Sequence, residues 1–137
     1  GGGLLSGTAI TVSAISPKTH VIATEPERAD DACRSFHAGR LIPSVNPDTI
    51  ADGLLTSLGD LTFPIIRHYV KDIVPVSEEG IIHAMRTIWE RMKIIVEPSA
   101  AVPLGAILTN RIPVSGKKIG IILSGGNVDL ANLPWND

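Results

Sequence analysis

The chain has 137 residues, 44% of them hydrophobic and 19% charged; 12 basic and 14 acidic residues leave a net charge of −2, and there is one cysteine. This is the composition of one globular domain with enough apolar mass for a core, and it excludes a disordered tail, a bilayer-spanning run of roughly 20 apolar residues and a basic nucleic-acid-binding surface. Cys33 alone can make neither an internal disulfide nor a multi-cysteine zinc site, so the expected setting is reducing and cytoplasmic.

Gly1-Gly2-Gly3 is a turn sequence that normally has a strand feeding into it and a helix leaving it, so an upstream segment is expected. A helix is predicted over Ser6 to Ala14. A buried strand follows over His20 to Thr24, an apolar run bounded by Pro17-Lys18 and Glu25-Pro26. Asp30 to Ala38 reads as a helix stopped at Gly39, and the prolines and Asp-Gly of Arg40 to Gly53 read as loop. A helix over Leu61 to Val70 and a strand over Asp72 to Val76 come next. Ser77 opens the plainest helix of the chain, with Glu78 and Glu79 in its first turn, where a capping oxygen and negative charge suit the helix dipole. Its apolar stripe is expected to be Ile82, Met85, Trp89, Met92 and Val96. Glu97-Pro98-Ser99 breaks that pattern. Ala100 to Thr109 suggests a last helix with Pro103 early in it, and Lys118 to Leu123 a last strand running into Ser124-Gly125-Gly126-Asn127. Apolar strands alternating with helices predict an α/β fold of three layers, a largely parallel sheet with helices on both faces.

Three features bear on chemistry. Consecutive glycines before a helix leave backbone N–H groups uncovered, and phosphate is a natural guest there. The run matches neither the dinucleotide-binding fingerprint nor the Walker lysine loop, however, and can equally be a scar of expression. Ser124 to Asn127 lies where a predicted parallel strand ends, the edge at which open α/β sheets bind ligands, or it is simply a tight turn. Glu25, Glu27, Asp30 and Asp31 offer hard oxygen ligands for Mg²⁺ or Ca²⁺, or they complement the dipole of the helix they precede. Cys33, His20, His37, His68 and His83 show no ligand spacing and form no triad in the sequence; they read as structural or surface residues.

Five segments in register carry a resemblance: Gly1-Gly2-Gly3-Leu4, Thr24-Glu25-Pro26, Thr49-Ile50-Ala51-Asp52-Gly53, Glu97-Pro98-Ser99-Ala100 and Leu123-Ser124-Gly125-Gly126-Asn127. Their order and spacing resemble the tryptophan-synthase-β-like, or fold-type II, pyridoxal-phosphate enzymes over essentially the whole chain. Trp89-Glu90-Arg91-Met92-Lys93 and Ser124 to Leu130 are most similar to the serine racemase and threonine dehydratase branch.

The resemblance implies that Gly1, Gly2, Gly3 and Leu4 donate N–H groups to the phosphate of pyridoxal 5′-phosphate and that Ser124 hydrogen-bonds its pyridine nitrogen. It places Gly53 beside the cofactor through its backbone and Glu97 in the same crevice. It also implies a Mg²⁺ or Ca²⁺ site at Glu25, Ala29 and Asp31, and an ATP contact at Lys93 and Asn127. Members of the family form a Schiff base through an N-terminal lysine in a Ser-x-Lys-x-Arg-Gly context, which this chain lacks. Its own lysines, Lys18, Lys71, Lys93, Lys117 and Lys118, are predicted to be solvated. Residues 1–137 are thus expected to be the C-terminal portion of the cofactor-binding large domain, inactive alone and exposing apolar surface. The activity implied for the whole protein is serine racemisation with β-elimination to pyruvate and ammonia, in a homodimer. The alternatives are a threonine dehydratase of the same family, or a non-catalytic module that binds phosphate or a partner subunit.

Overall fold

The structure, a computed structural model, describes residues 1–135. Its elements in chain order are α1 (Gly3–Ile15), β1 (Ile22–Pro26), α2 (Asp31–Ala38), α3 (Thr62–Tyr69), β2 (Asp72–Val76), α4 (Glu78–Met92) and α5 (Pro98–Leu108), with short 3₁₀ turns at Glu27–Ala29 and Asp52–Leu54. β1 and β2 pair in parallel, Ile22 opposite Asp72 through Pro26 opposite Val76. A parallel pair cannot be joined by a hairpin, and the return is made by α2, the loop after it and α3.

Alternation along β2 sends Ile73 and Val76 to opposite faces of the sheet, and two cores form accordingly. On one face Ile73 packs with Ala9 of α1, Ile66 and Val70 at the end of α3, and Ala32 and Phe36 of α2. On the other, Val76 meets Ile81 of α4 and Val102 and Ala106 of α5. This is the expected α/β arrangement, helices covering both faces of a parallel sheet. A third cluster, Ala84, Met85, Ile88, Val96, Ala100 and Ala101, joins α4 to α5, and Leu123, Val128, Leu133 and Trp135 pack against it. Trp89 ties it down: its indole N–H donates to the Val96 carbonyl at 2.9 Å, and its ring meets Trp135 edge-on with centroids 5.4 Å apart. No helix among the described residues is long and apolar enough to cross a membrane.

Several sequence expectations shift. α1 begins three residues earlier than predicted, at Gly3, because Gly2 turns the chain into it. β1 lies at Ile22–Pro26, not His20 to Thr24, because a strand exists only where a ladder partner does and β2 starts at Asp72. Ser77 caps α4 as predicted, its hydroxyl accepting the Gly80 N–H at 3.2 Å. The buried stripe of α4, however, is Ile81, Ala84, Met85 and Ile88; Ile82 is only half-buried, Met92 is exposed, and Val96 lies beyond the helix end. With two adjacent isoleucines at 81 and 82, spacing alone favours neither face. Pro98 opens α5 at its first turn, where its fixed φ suits a helix start, two residues before the predicted beginning. Lys118 to Leu123 stays extended but pairs with no strand among the described residues, so the predicted last strand is absent from the sheet. Large apolar side chains do remain exposed, among them Leu4, Ile15 and Leu61, the last 84% accessible.

The α4 register gives a direct test. Ile81→Ala removes a fully buried side chain and should cost about 2–5 kcal/mol in urea denaturation, whereas Met92→Ala should stay within about 0.5 kcal/mol. The reverse order would restore the predicted stripe.

Candidate active site

Helices that run back against parallel strands begin at the edge where the strands end, and the site residues gather on these helix starts and the loops beside them. Gly2 caps α1 with φ +85°, and a Cβ there would lie 2.8 Å from Ile66 Cδ1 and 2.9 Å from Thr62 Oγ1, so only glycine fits. The first backbone bond of the helix is Ser6 N–H to the Gly2 carbonyl at 2.9 Å. The N–H groups of Gly3, Leu4 and Leu5 therefore have no partner within the helix, and α1 has neither a capping side-chain bond nor an acidic residue in its first turn. A Cβ on Gly3 would meet nothing within 4 Å. The result is a bare helix start with open space in front of it, which suits an anion. Gly1 is held differently: its nitrogen donates to Thr56 Oγ1 at 3.0 Å and its carbonyl accepts from Gly59 N–H and Thr62 Oγ1.

A second group forms around the start of α5. Glu97 occupies its N-cap position; its N–H donates to the Gly125 carbonyl at 3.1 Å, and its carboxylate accepts the Asn127 N–H at 2.9 Å. A Cβ on Gly125 would fall 2.7 Å from that carboxylate and one on Gly126 2.8 Å from the Ile95 carbonyl, so the paired glycines answer a close approach. Ser124 is exposed at the head of this turn. Gly53 N–H donates to Ser99 Oγ at 3.1 Å, two residues past Glu97. The structure thus brings Gly53, Glu97, Ser124 and Asn127 into one contiguous patch, and Ile95, two residues beyond Lys93, abuts Gly126. Lys93 itself ends α4 in a left-handed conformation with φ +59°. Thr62 and Ser99 belong to no motif that singles out their hydroxyls, and sequence reasoning missed both.

The acidic cluster divides into two pairs. Glu27 is bound by Arg111 and Asp30 by Arg34 at 2.7 Å, both on the surface. Glu25 and Asp31 are buried, with 7% and 1% of their surface accessible, and neither has a basic partner. Burial raises both carboxyls, that of Glu25 to about 8, and each raising is opposed by hydrogen bonds from backbone N–H groups; Asp31 further raises Glu25 by repulsion. The Cys33 N–H donates to Glu25, whereas Asp31 Oδ2 has no partner at all among the described residues. Two buried carboxylates with an orphaned oxygen, and the buried turn residue Ala29 between them, fit a divalent cation completed by water. No cluster of three or more His, Cys, Asp or Glu side chains placed to hold a metal exists among the described residues, so such a cation would take two carboxylates at most.

Cys33, His37 and Asp72 do line up, with Cys33 Sγ 3.5 Å from His37 Nδ1 and His37 Nε2 3.3 Å from Asp72 Oδ1. The thiol donates to the Ile73 carbonyl, and burial followed by the charges of Glu25, Asp30 and Asp72 pushes it up, so it stays protonated and is no nucleophile. All five lysines are exposed.

Fold and site together define an α/β protein with an anion cradle at a helix start and a polar crevice at the next. The comparisons agree: residues 1–125 match the family model "Pyridoxal-phosphate dependent enzyme", and the chain belongs to that family. It is 52% identical to a beta-hydroxyaspartate dehydratase of Paracoccus denitrificans over 99% of this chain and 43% of that protein. It is 50% identical to a serine racemase of Dictyostelium discoideum over 97% of this chain and 42% of that protein. The chain therefore spans less than half the length of these relatives. A solved threonine deaminase, its source given as T.th., superposes with a TM-score of 0.89 at 48% identity, covering 96% of this chain and 48% of that one.

The buried carboxyl of Glu25 sets a pH dependence. Its folded value of about 8 lies above the ordinary 4.5, so its contribution to stability is present below pH 4.5 and is lost as pH rises through 8. In chelator, the stability of the wild type relative to Glu25→Gln should decline across that window by urea denaturation. A difference that is flat with pH would show that Glu25 is not held in its neutral form.

Proposed function

We propose that this chain is the cofactor-cradling portion of an enzyme acting on 2-amino-3-hydroxy acids: a serine racemase that interconverts L- and D-serine and also eliminates water from serine to give pyruvate and ammonia. The observation that supports this most is the bare first turn of α1, three N–H groups without helix partners facing open space, in a chain of a pyridoxal-phosphate dependent family. In this reading Gly1, Gly2, Gly3 and Leu4 hold the phosphate of pyridoxal 5′-phosphate, Gly53 lies against the cofactor through its backbone, and Glu97 fixes the turn that presents Ser124.

When bound, the cofactor supplies an electron sink beside the α-carbon of the substrate. Ser124 Oγ hydrogen-bonds the ring nitrogen without keeping a proton on it, as a carboxylate would. A weaker sink of that kind suits loss of the α-proton followed by departure of the β-hydroxyl, or by return of the proton on the other face. Because all five lysines of the chain are exposed, the Schiff-base lysine is proposed to lie outside these residues, in the other part of a larger cofactor-binding domain. Alone, residues 1–137 would bind phosphate without turnover.

Glu25, Asp31 and the Ala29 carbonyl are proposed to hold Mg²⁺ or Ca²⁺, which would neutralise two buried carboxylates and stiffen the junction of β1 with α2. Lys93 and Asn127 are proposed ATP contacts, the whole protein a cytoplasmic homodimer. A second reading, a dehydratase without racemase activity on threonine or a related hydroxy acid, has its support in the likeness to the dehydratase and the threonine deaminase.

A spectrophotometric titration tests the reading. With pyridoxal phosphate, the chain joined to an upstream lysine-bearing segment should show the visible band of a lysine-linked cofactor and form pyruvate from serine, with D-serine detected by chiral chromatography. The chain alone should show neither. A stoichiometric band and turnover from residues 1–137 alone would overturn the proposal.

A further inference from the structure

Resting on the cofactor reading above, we propose that Thr62 is a positioning residue for the phosphate: its hydroxyl holds the Gly1–Gly2 peptide so that the Gly2 N–H faces the anion. Thr62 begins α3, and its Oγ1 donates to the Gly1 carbonyl at 2.5 Å while accepting the Gly59 N–H at 3.2 Å. The same Gly59 N–H also reaches the Gly1 carbonyl at 3.2 Å, so one carbonyl is gripped from two sides by the start of α3. In a trans peptide the carbonyl and the N–H of the next residue point in opposite directions. Pinning the Gly1 carbonyl inward onto Thr62 and Gly59 therefore turns the Gly2 N–H outward. That N–H has no acceptor among the described residues, and it adds a fourth donor to the three bare N–H groups of Gly3, Leu4 and Leu5.

The packing beneath leaves the turn little alternative. A Cβ on Gly2 would lie 2.8 Å from Ile66 Cδ1, 2.9 Å from Thr62 Oγ1 and 3.0 Å from Leu58 Cδ2, so the turn is seated on these three side chains. Only Thr62 among them can hold it by a directed bond. Ile66 and Leu58 fix where the turn lies, and the hydroxyl fixes which way its peptide faces. Without the hydroxyl, the Gly1–Gly2 peptide keeps a single weaker tether, from Gly59, and can rotate so that its carbonyl oxygen faces the phosphate and repels it.

The test is a titration of the chain with inorganic phosphate, followed through the amide signals of Gly2, Gly3 and Leu4 by NMR. Thr62→Val, nearly isosteric but without the hydroxyl, should weaken phosphate binding about tenfold, whereas Thr62→Ser should remain within about twofold of wild type. Pyridoxal, which lacks the phosphate, should bind the wild type and Thr62→Val alike. Equal weakening by the valine and serine variants, or wild-type affinity in Thr62→Val, would sink the assignment while leaving the cofactor reading intact. If phosphate leaves the Gly2 to Leu4 amides of the wild type unmoved, the cofactor reading fails and Thr62 falls with it. A measurement on the wild type alone guards against a misfolded variant: by linkage, saturating phosphate should slow hydrogen exchange of the Gly59 amide at least about threefold, and an unchanged rate contradicts the proposal.

Discussion

Because β1 and β2 run parallel, the chain must return between them, and each helix that runs back against the strands starts at the edge where a strand ends. Helix starts carry unpaired N–H groups and partial positive charge, so one edge of the molecule collects donors. α2 and α4 follow directly from β1 and β2 at that edge, and α1 and α3 bring their first turns together through Gly1, Gly59 and Thr62. The starts are then put to different uses. Ser77 caps α4 and Glu97 takes the first position of α5, which leaves α1 as the start with neither a capping side chain nor an acid.

The same edge explains the acidic cluster. Where a strand hands over to a helix, carboxylates are favoured by the dipole, and Asp30 with Arg34 needs no further account. Glu25 and Asp31 are different because they are buried without a basic partner, a state that is stable only if a proton or a cation neutralises it. The molecule thus carries an electron-poor cradle at α1 and an electron-rich pair at α2. Both belong to the layer of helices on one face of the sheet, whose shared core runs through Ile66 and Ile73.

Much of this was legible in the sequence where local pattern and tertiary outcome coincide. Asp72 to Val76 is an apolar run bounded by polar residues and is the strand found; Ser77 with two glutamates after it is the cap found. Legibility fails where the answer depends on a distant partner. Lys118 to Leu123 has strand composition, but a strand needs a ladder, and none is formed among the described residues. Adjacent isoleucines at 81 and 82 leave the inward face of α4 open until α5 is in place. In the acidic cluster the sequence supplies four carboxylates and cannot separate them, because the arginine that occupies Glu27 is Arg111, 84 positions away. The glycine motifs located the candidate site; the hydroxyls that hold it, Thr62 and Ser99, sit in unremarkable surroundings and become visible only by contact.

The central claim is that one anion cradle and one polar crevice belong to a single cofactor. Amide chemical-shift mapping of the chain titrated with pyridoxal phosphate tests it most directly. The account predicts that Gly2, Gly3 and Leu4 shift together with Gly53 and Ser124 at one common affinity. Shifts confined to residues around the exposed lysines, or two affinities for the two groups, would contradict it.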